Sequence, residues 1–277
     1  MHDLPHHPSP PRLCDIAPTE LLSIIETSFV RSWLPFAHIP GAALHDAPDL
    51  LWFSTGQPDA FLNAVLRTQL APDEADVTIQ TMVATFRSRM LPLSWYVGPA
   101  ARPTDLVGRL LTAGFRHVDT MVGMAINLHT RAPTRPEIPD LHMVEVNNAA
   151  TLQQWFTVFQ AGFGMSHAMR VAYEAVCAAD DSADSADTKY LGYVAGFPVA
   201  CLTLTREEAV ASLYDVATIP AARRRGIGSA MVRAALEAAR TAAYQTAILL
   251  ATAEGAGMYR RVGFQDYGQL GHYVLDP

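Results

Sequence analysis

The order of apolar and polar positions divides the chain into short strand-like runs and longer helix-like stretches. Runs such as LSWYV at 93–97 and AILLA at 247–251 are rich in bulky apolar residues and indicate buried strands. Stretches such as SAMVRAALEAAR at 229–240 repeat apolar residues every three or four positions and indicate amphipathic helices. In the second half, a strand and two helices precede a hairpin at Gly196, after which strands and helices alternate. This order predicts a mixed α/β fold.

A polar, proline-containing stretch separates two halves of similar length. LHTRAPTRPEIPD at 128–140 contains three prolines and shows no apolar period, which is typical of a linker. The pattern therefore predicts a disordered tail at 1–12, a first domain at 13–127, a linker at 128–140 and a second domain at 141–277.

One local pattern occurs in both halves. LLTAGFRHV at 110–118 and YRRVGFQDY at 259–267 each place the end of a short helix and a Gly-Phe pair before a strand. Because the two copies fall at corresponding places, they indicate that the same fold occurs twice in the chain.

Composition narrows the class of protein. Among 277 residues, half are apolar and 17% are charged, which suits a globular rather than a disordered chain, and the net charge of −7 argues against nucleic-acid binding. The three cysteines form no CxxC pair, so neither a disulfide framework nor a metal site is expected, and a reducing cytoplasm is the expected setting. No run approaches the roughly 18 to 20 apolar residues of a membrane span.

The stretch YDVATIPAARRRGIGSAM at 214–231 carries the strongest chemical signal. A strand leads through three arginines, Gly226 and Gly228 into a helix. The first N–H groups of a helix lack partners and its dipole is positive there, so this arrangement favours an anion. A P-loop would need GxxxxGK[ST], which does not occur, and a dinucleotide turn would need glycine where Met231 stands. An Arg-x-x-Gly-x-Gly phosphate loop beginning at Arg223 and a basic surface turn both remain open.

The order of segments over about 141–275 resembles the GNAT superfamily of acetyl-CoA-dependent N-acetyltransferases. LYDVATI, RRRGIG and SAMVRAALEAAR resemble the strand, loop and helix that hold the coenzyme A pyrophosphate in that family, and TAILLATAEGAGMYRRVGF resembles its second motif. The resemblance implies two GNAT-like domains in tandem, each with a mixed sheet flanked by helices.

The resemblance also assigns roles to residues. It implies a pyrophosphate site formed by Arg223, Arg224, Arg225, Gly226, Ile227, Gly228 and Ser229. It implies contacts to the pantetheine arm from the backbone of Val216, Ala217 and Thr218 and from Thr252. Tyr259 corresponds to a general acid that also contacts coenzyme A. The proton acceptor is open between Asp215, Glu254 and solvent water.

The first half lacks the features that would bind coenzyme A. At the place of the phosphate loop it reads APDEAD (71–76), with three acids and no glycine, and Leu110 stands where the second half has Tyr259. We therefore expect a degenerate first half and an active site in the second half only.

The resulting interpretation is an acyltransferase that moves an acetyl group from acetyl-CoA, its cosubstrate, to a primary amine of a small molecule by direct attack in a ternary complex. A protein amine as acceptor and a non-catalytic acyl-CoA-binding regulatory module are the alternatives. No metal, nucleic-acid or membrane partner is expected. The oligomeric state is open, and a homodimer is one option.

Overall fold

A computed structural model describes residues 12–129, 138–179 and 185–277. Residues 1–11 of the expected tail, most of the expected linker, and the first half of a stretch rich in aspartate at 180–188 lie outside these ranges. The helices are α1 (Pro18–Trp33), α2 (Ala75–Ser88), α3 (Leu106–Thr112), α4 (Ala149–Phe163), α5 (His167–Ala179), α6 (Ile227–Thr241) and α7 (Ala253–Val262). The strands are β1 (Ala43–Asp46), β2 (Leu50–Ser54), β3 (Asn63–Thr68), β4 (Leu93–Val97), β5 (Arg116–Asn127), β6 (Leu141–Glu145), β7 (Asp187–Val194), β8 (Phe197–Arg206), β9 (Ala211–Thr218), β10 (Thr246–Ala251) and β11 (Gln265–Leu275).

The mixed α/β prediction is confirmed, and local sequence signals explain where elements begin and end. Asn148 caps α4 through a reciprocal pair of hydrogen bonds with Thr151, and Gly164 ends that helix in the left-handed conformation. Thr252 caps α7 by accepting a hydrogen bond from the Gly255 N–H group. In the described residues, no helix is long and apolar enough to cross a membrane.

The strands of both halves form one continuous sheet. Its order is β1-β2-β3-β4-β11-β5-β10-β9-β8-β7-β6. The last strand of the first half, β5, pairs antiparallel with β10 and β11, and the last strand of the chain, β11, pairs with β4 as well as with β5. Each half therefore receives a strand from the other at the centre of the sheet.

Helices cover both faces of this sheet. Leu249 of β10 packs in the cluster formed with α6 and α7, whereas its neighbour Ile248 packs with α1 on the opposite face. Buried residues of α2 and α3 form a cluster with residues of β4 and β11. The pairing of β4 and β5 with β11 puts this cluster on the same face of the sheet as α6 and α7. Helices α4 and α5 lie on the face of α1, where Phe36, just after α1, packs against Tyr173 of α5.

The second part of each half repeats one arrangement. β3, α2, β4, α3 and β5 correspond in order to β9, α6, β10, α7 and β11, and each set contains one parallel pair, β3–β4 and β9–β10. The parallel pair β3–β4 is in register only at Ala64 and Val65, and the parallel pair β9–β10 only at Ala211 and Ser212. In both halves the two strands diverge beyond that short contact, which leaves a wedge between them.

Candidate active site

The loop between β9 and α6 presents a row of backbone N–H groups. Arg224 and Gly226 adopt positive φ angles of 63° and 82°, and α6 starts directly after Gly226. Within the described residues, none of the N–H groups of 224–229 donates to a protein acceptor, and the first bond of the helix joins the Ala230 N–H to the Gly226 carbonyl at 3.1 Å. These donors at the positive end of a 15-residue helix suit a pyrophosphate.

The three arginines of this loop divide into two groups. Arg223 donates to the Thr218 carbonyl at 3.1 Å and to the Gly162 carbonyl at 2.6 Å, so its side chain ties the loop to β9 and to the end of α4. Arg224 and Arg225 are exposed and form no ion pair with any residue that the structure describes. Two cations therefore remain for an anionic ligand.

The wedge between β9 and β10 opens beside this loop. Beyond Ser212, β9 has no partner on the β10 side in the described part of the chain. A bulge interrupts its pairing with β8 between Tyr214 and Ala217, and Asp215 in this bulge has a φ angle of 56°, which is rare for a residue other than glycine. Val216, Ala217 and Thr218 follow the bulge and lead to the phosphate loop. Strained bulges are common next to active sites, because they turn backbone groups away from the strand ladder.

The carboxylate of Asp215 is enclosed by polar side chains. The hydroxyl groups of Tyr173 and Thr203 donate to Oδ2 at 2.7 Å each. Burial raises the pKa of Asp215, and the positive charge of Lys189 and the two hydrogen bonds oppose that rise. A carboxylate with a raised pKa accepts a proton more readily than an exposed one.

Tyr259 lies on α7, with its ring packed edge-on against Phe264 and only 8% of its surface exposed. Its hydroxyl group forms no hydrogen bond with any described residue, and burial raises the pKa of the phenol. The phenol therefore stays protonated at neutral pH and can donate a hydrogen bond to a ligand. Thr252 is exposed and uses its hydroxyl oxygen to accept the Gly255 N–H at 3.2 Å, which leaves the hydroxyl proton free to donate.

The corresponding wedge of the first half is closed by protein. The Trp95 indole donates to the Thr68 hydroxyl at 2.9 Å, and the backbone of Arg102 bonds the Thr68 carbonyl at 3.0 Å and the Leu70 N–H at 3.2 Å. These contacts occupy the end of β3, which corresponds to the open end of β9. Leu110, the counterpart of Tyr259, is fully buried.

Three residues around Asp215 were not predicted from the sequence: Tyr173, Lys189 and Thr203. They come from α5, β7 and β8 and approach the bulge only through the pairing of β7, β8 and β9 and the packing of α5. Lys189 also lies over the rings of Trp155 and Tyr173, at 5.5 and 5.9 Å from their centroids. No local spacing in the sequence could have indicated this cluster.

Residues 184–266 match the sequence profile of the family described as "Acetyltransferase (GNAT) domain". The matched segment runs from the start of β7 into β11 and contains the bulge, the phosphate loop and Tyr259. The chain contains a GNAT acetyltransferase domain. The match supports the enzyme class that the sequence predicts, an acetyltransferase. No curated protein matches the chain significantly by sequence.

Solved structures share the fold over almost the whole chain. A GCN5-related N-acetyltransferase from Kribbella flavida is 19% identical with a TM-score of 0.66, and the alignment covers 92% of this chain and 96% of that one. Its counterpart from Sphaerobacter thermophilus is 13% identical with a TM-score of 0.64, with 99% and 97% covered. A tandem GNAT protein from the clavulanic acid biosynthesis pathway is 10% identical with a TM-score of 0.58, with 94% of each chain covered. The GNAT-like fold therefore extends over both halves, as the repeat predicts.

Proposed function

We propose that this protein transfers an acetyl group from acetyl-CoA to the primary amine of a small molecule, with one active site in its second half. The observation that carries the proposal is the row of unpaired N–H groups at 224–229 beside the open edge of β9. A pyrophosphate on the loop and an extended arm along β9 would together direct a thioester towards the bulge. Backbone pairing of an extended ligand with a strand edge is a common binding mode.

Two side chains are proposed to move protons. Asp215 takes a proton from the acceptor ammonium, so that the neutral amine can attack the thioester carbonyl carbon as the carbon–sulfur bond breaks, and the extra proton on the new amide nitrogen passes to solvent water. Tyr259 donates to the sulfur that leaves as a thiolate. Because burial raises the pKa of Tyr259, full proton transfer to a thiolate of pKa about 8.5 is uphill, and a hydrogen bond to the sulfur is its main contribution.

The first test is stabilisation by acetyl-CoA. A ligand at one hundred times its dissociation constant adds about 2.7 kcal/mol to the free energy of unfolding, so the melting temperature should rise by several degrees. The release of free coenzyme A thiol is then measured with a panel of amines. Thiol release indicates an enzyme, since a binding module would bind acetyl-CoA without turnover. An unchanged melting temperature at saturating acetyl-CoA would contradict the proposal.

The second test concerns the proton acceptor. Asp215→Asn keeps the size of the side chain and an oxygen for Tyr173 and Thr203, but removes the base. We expect kcat to fall about 10²- to 10⁴-fold. The wild-type rate should decline as the pH falls through the raised pKa of Asp215, because the base is then protonated, and this decline should disappear in the variant.

Glu254→Gln is the matched control, because Glu254 is exposed in the first turn of α7 and was the second candidate from the sequence. Asp215→Asn should not lower the melting temperature at pH 8. The raised pKa means that ionising Asp215 costs folding free energy as the pH rises past its unfolded value, and the variant removes that cost. A rate loss in Glu254→Gln with none in Asp215→Asn would assign the base to Glu254.

A further inference from the structure

The bulge in β9 turns the side chain of Asp215 towards α5. In a regular strand, successive side chains point to opposite faces of the sheet. Tyr214 bonds to Ser28 of α1 and so lies on the α1 face, which would put Asp215 on the opposite face. The bulge adds one residue to β9 relative to β8, so Asp215 also lies on the α1 face and meets Thr203 and Tyr173 there.

Two hydroxyl groups hold one oxygen of the Asp215 carboxylate and leave the other. Tyr173 and Thr203 both donate to Oδ2 at 2.7 Å. Within the described ranges, Oδ1 accepts no hydrogen bond, and Asp215 is only partly buried. The Cys201 thiol also donates to the backbone carbonyl of Asp215 at 3.4 Å. The carboxylate is therefore fixed through one oxygen and can offer the other to an ammonium group.

The ring of Tyr173 packs against aromatic side chains from both halves of the chain. Trp155 and Phe159 of α4 lie with their ring centroids 5.7 and 5.0 Å from that of Tyr173. Phe36 of the first half is buried and meets the same ring edge-to-face at 5.5 Å. Aromatic pairs at these separations attract each other beyond their buried area. The position of the Tyr173 hydroxyl group therefore depends on a side chain of the first half.

The groups around the bulge also affect the protonation of Asp215. The titratable groups that face it are Lys189 and Asp187 of β7, Tyr173 of α5 and Cys201 of β8, and the α4 side chains packed here carry no charge. Burial raises the pKa of Asp215, and the charge of Lys189 and the two hydroxyl groups lower it, whereas the Asp187 carboxylate raises it. Removing the Tyr173 hydroxyl group should therefore raise the pKa of Asp215 further.

We propose that Tyr173 is a positioning residue for the proton acceptor, and that Phe36 of the first half keeps Tyr173 in place. The proposal rests on the proposed function, in which Asp215 takes the proton from the acceptor ammonium. Tyr173 does not itself meet the substrate. Its hydroxyl group fixes Oδ2 of Asp215, so Oδ1 is the atom that accepts the proton. The first half thus acts on catalysis through a side-chain contact, without binding coenzyme A.

Tyr173→Phe tests the hydrogen bond, because it keeps the ring and its packing and removes only the hydroxyl group. The full-length protein is assayed with the amine that gives the fastest thiol release in the panel. We expect kcat to fall about tenfold and the KM for acetyl-CoA to stay unchanged. The acid limb of the kcat–pH profile should move about one unit to higher pH, since the carboxylate loses a donor. A merely structural role would lower the melting temperature and leave this limb in place.

Phe36→Leu tests the contribution of the first half. It keeps an apolar side chain but removes the edge-to-face contact, so kcat should fall about three- to fivefold and the acid limb should move in the same direction. In the Tyr173→Phe background, Phe36→Leu should change the acid limb little further, because both act through one hydrogen bond. Phe86→Leu is the matched control. Phe86 is a fully buried first-half ring on α2, on the opposite face of the sheet, and should leave the limb in place.

The titration of Asp215 can also be followed without turnover. Because its folded pKa is raised, ionisation lowers the stability as the pH rises from the unfolded to the folded pKa. The melting temperature of Asp215→Asn should therefore exceed that of the parent by an amount that grows with pH and levels off above the folded pKa. In the Tyr173→Phe background, this difference should level off at a higher pH.

The outcomes separate this proposal from the proposed function. If Asp215→Asn lowers kcat as expected but Tyr173→Phe moves neither the acid limb nor the melting titration, Tyr173 does not position the base. Additive effects of Phe36→Leu and Tyr173→Phe on the acid limb would overturn the role of the first half. If no amine releases thiol, the proposed function is refuted, and the catalytic role of Tyr173 is refuted with it.

Discussion

The Gly226→Glu variant is expected to lose acetyl-CoA binding while the chain remains folded. Gly226 precedes α6 at a φ angle of 82°, in the left-handed region that side chains other than asparagine or aspartate rarely adopt. A carboxylate here would also place a negative charge among the N–H groups that are proposed to hold the pyrophosphate. The loss should remove the whole ligand-induced stabilisation, about 2.7 kcal/mol at one hundred times the dissociation constant.

Gly196 offers a matched control for the backbone strain. Its φ angle is also 82°, it lies in the turn between β7 and β8, and a Cβ atom there would meet nothing within 4 Å. At Gly226 the nearest atom to an added Cβ would be the Ile138 Cδ1 at 3.6 Å, which is an ordinary contact. Both variants should therefore lose similar folding free energy, about 1 to 2 kcal/mol.

Melting curves with and without acetyl-CoA distinguish the two effects. Gly196→Glu should keep the full shift on adding acetyl-CoA, and Gly226→Glu should show none. If Gly226→Glu kept the shift, coenzyme A would bind elsewhere and the assignment of the loop would be wrong.

The loop and its helix could be predicted because their signal is local. Two glycines, a cluster of arginines and an amphipathic helix stand next to one another in the chain, and the backbone geometry at Gly226 follows from that order. For Arg223 the local signal predicts a place in the pyrophosphate site but not the contacts of its side chain with the protein. Its contacts with Thr218 and Gly162 depend on where α4 ends relative to β9, which no neighbouring residue indicates.

The absence of a phosphate loop in the first half was also predictable, but the closing of its wedge was not. The acids at 71–76 argue locally against a polyanion. The bonds of Thr68 to Trp95 and Arg102 join residues some thirty positions apart and require the observed course of the chain after β4.

The exchange of β5 and β11 lay beyond sequence reasoning, because each strand follows a Gly-Phe pair at the end of its own half and could have paired within that half. Register and packing between residues far apart in the chain decide which strands pair. The alternation of apolar and polar residues along a strand does not specify its partner. The predicted linker at 128–140 therefore separates two halves of the sequence. It does not separate two sheets, because the central strands come from both halves.

This exchange leads to the second large expected effect: a chain restricted to residues 141–277 should not fold. Without β5, the strand between β10 and β11 is missing, and both lose a long antiparallel partner. Val122, Met124 and Ile126 of β5 are buried against α6 and α7, and burying three such side chains contributes about 5 to 9 kcal/mol. That is comparable with the whole stability of a typical domain, about 5 to 15 kcal/mol.

The fragment should therefore show no cooperative melting transition and no response to acetyl-CoA. The control is the full-length protein cut by a protease at a site introduced within 130–137, which removes the covalent connection but keeps β5. We expect the cut protein to stay associated and to keep its acetyl-CoA shift, since β5 and β11 remain in each other's halves. If 141–277 alone melted cooperatively and bound acetyl-CoA, the second half would be self-sufficient for both. Failure of the fragment alone would show that the second half depends on the first for its fold, because β5 pairs with β10 along the edge opposite the wedge.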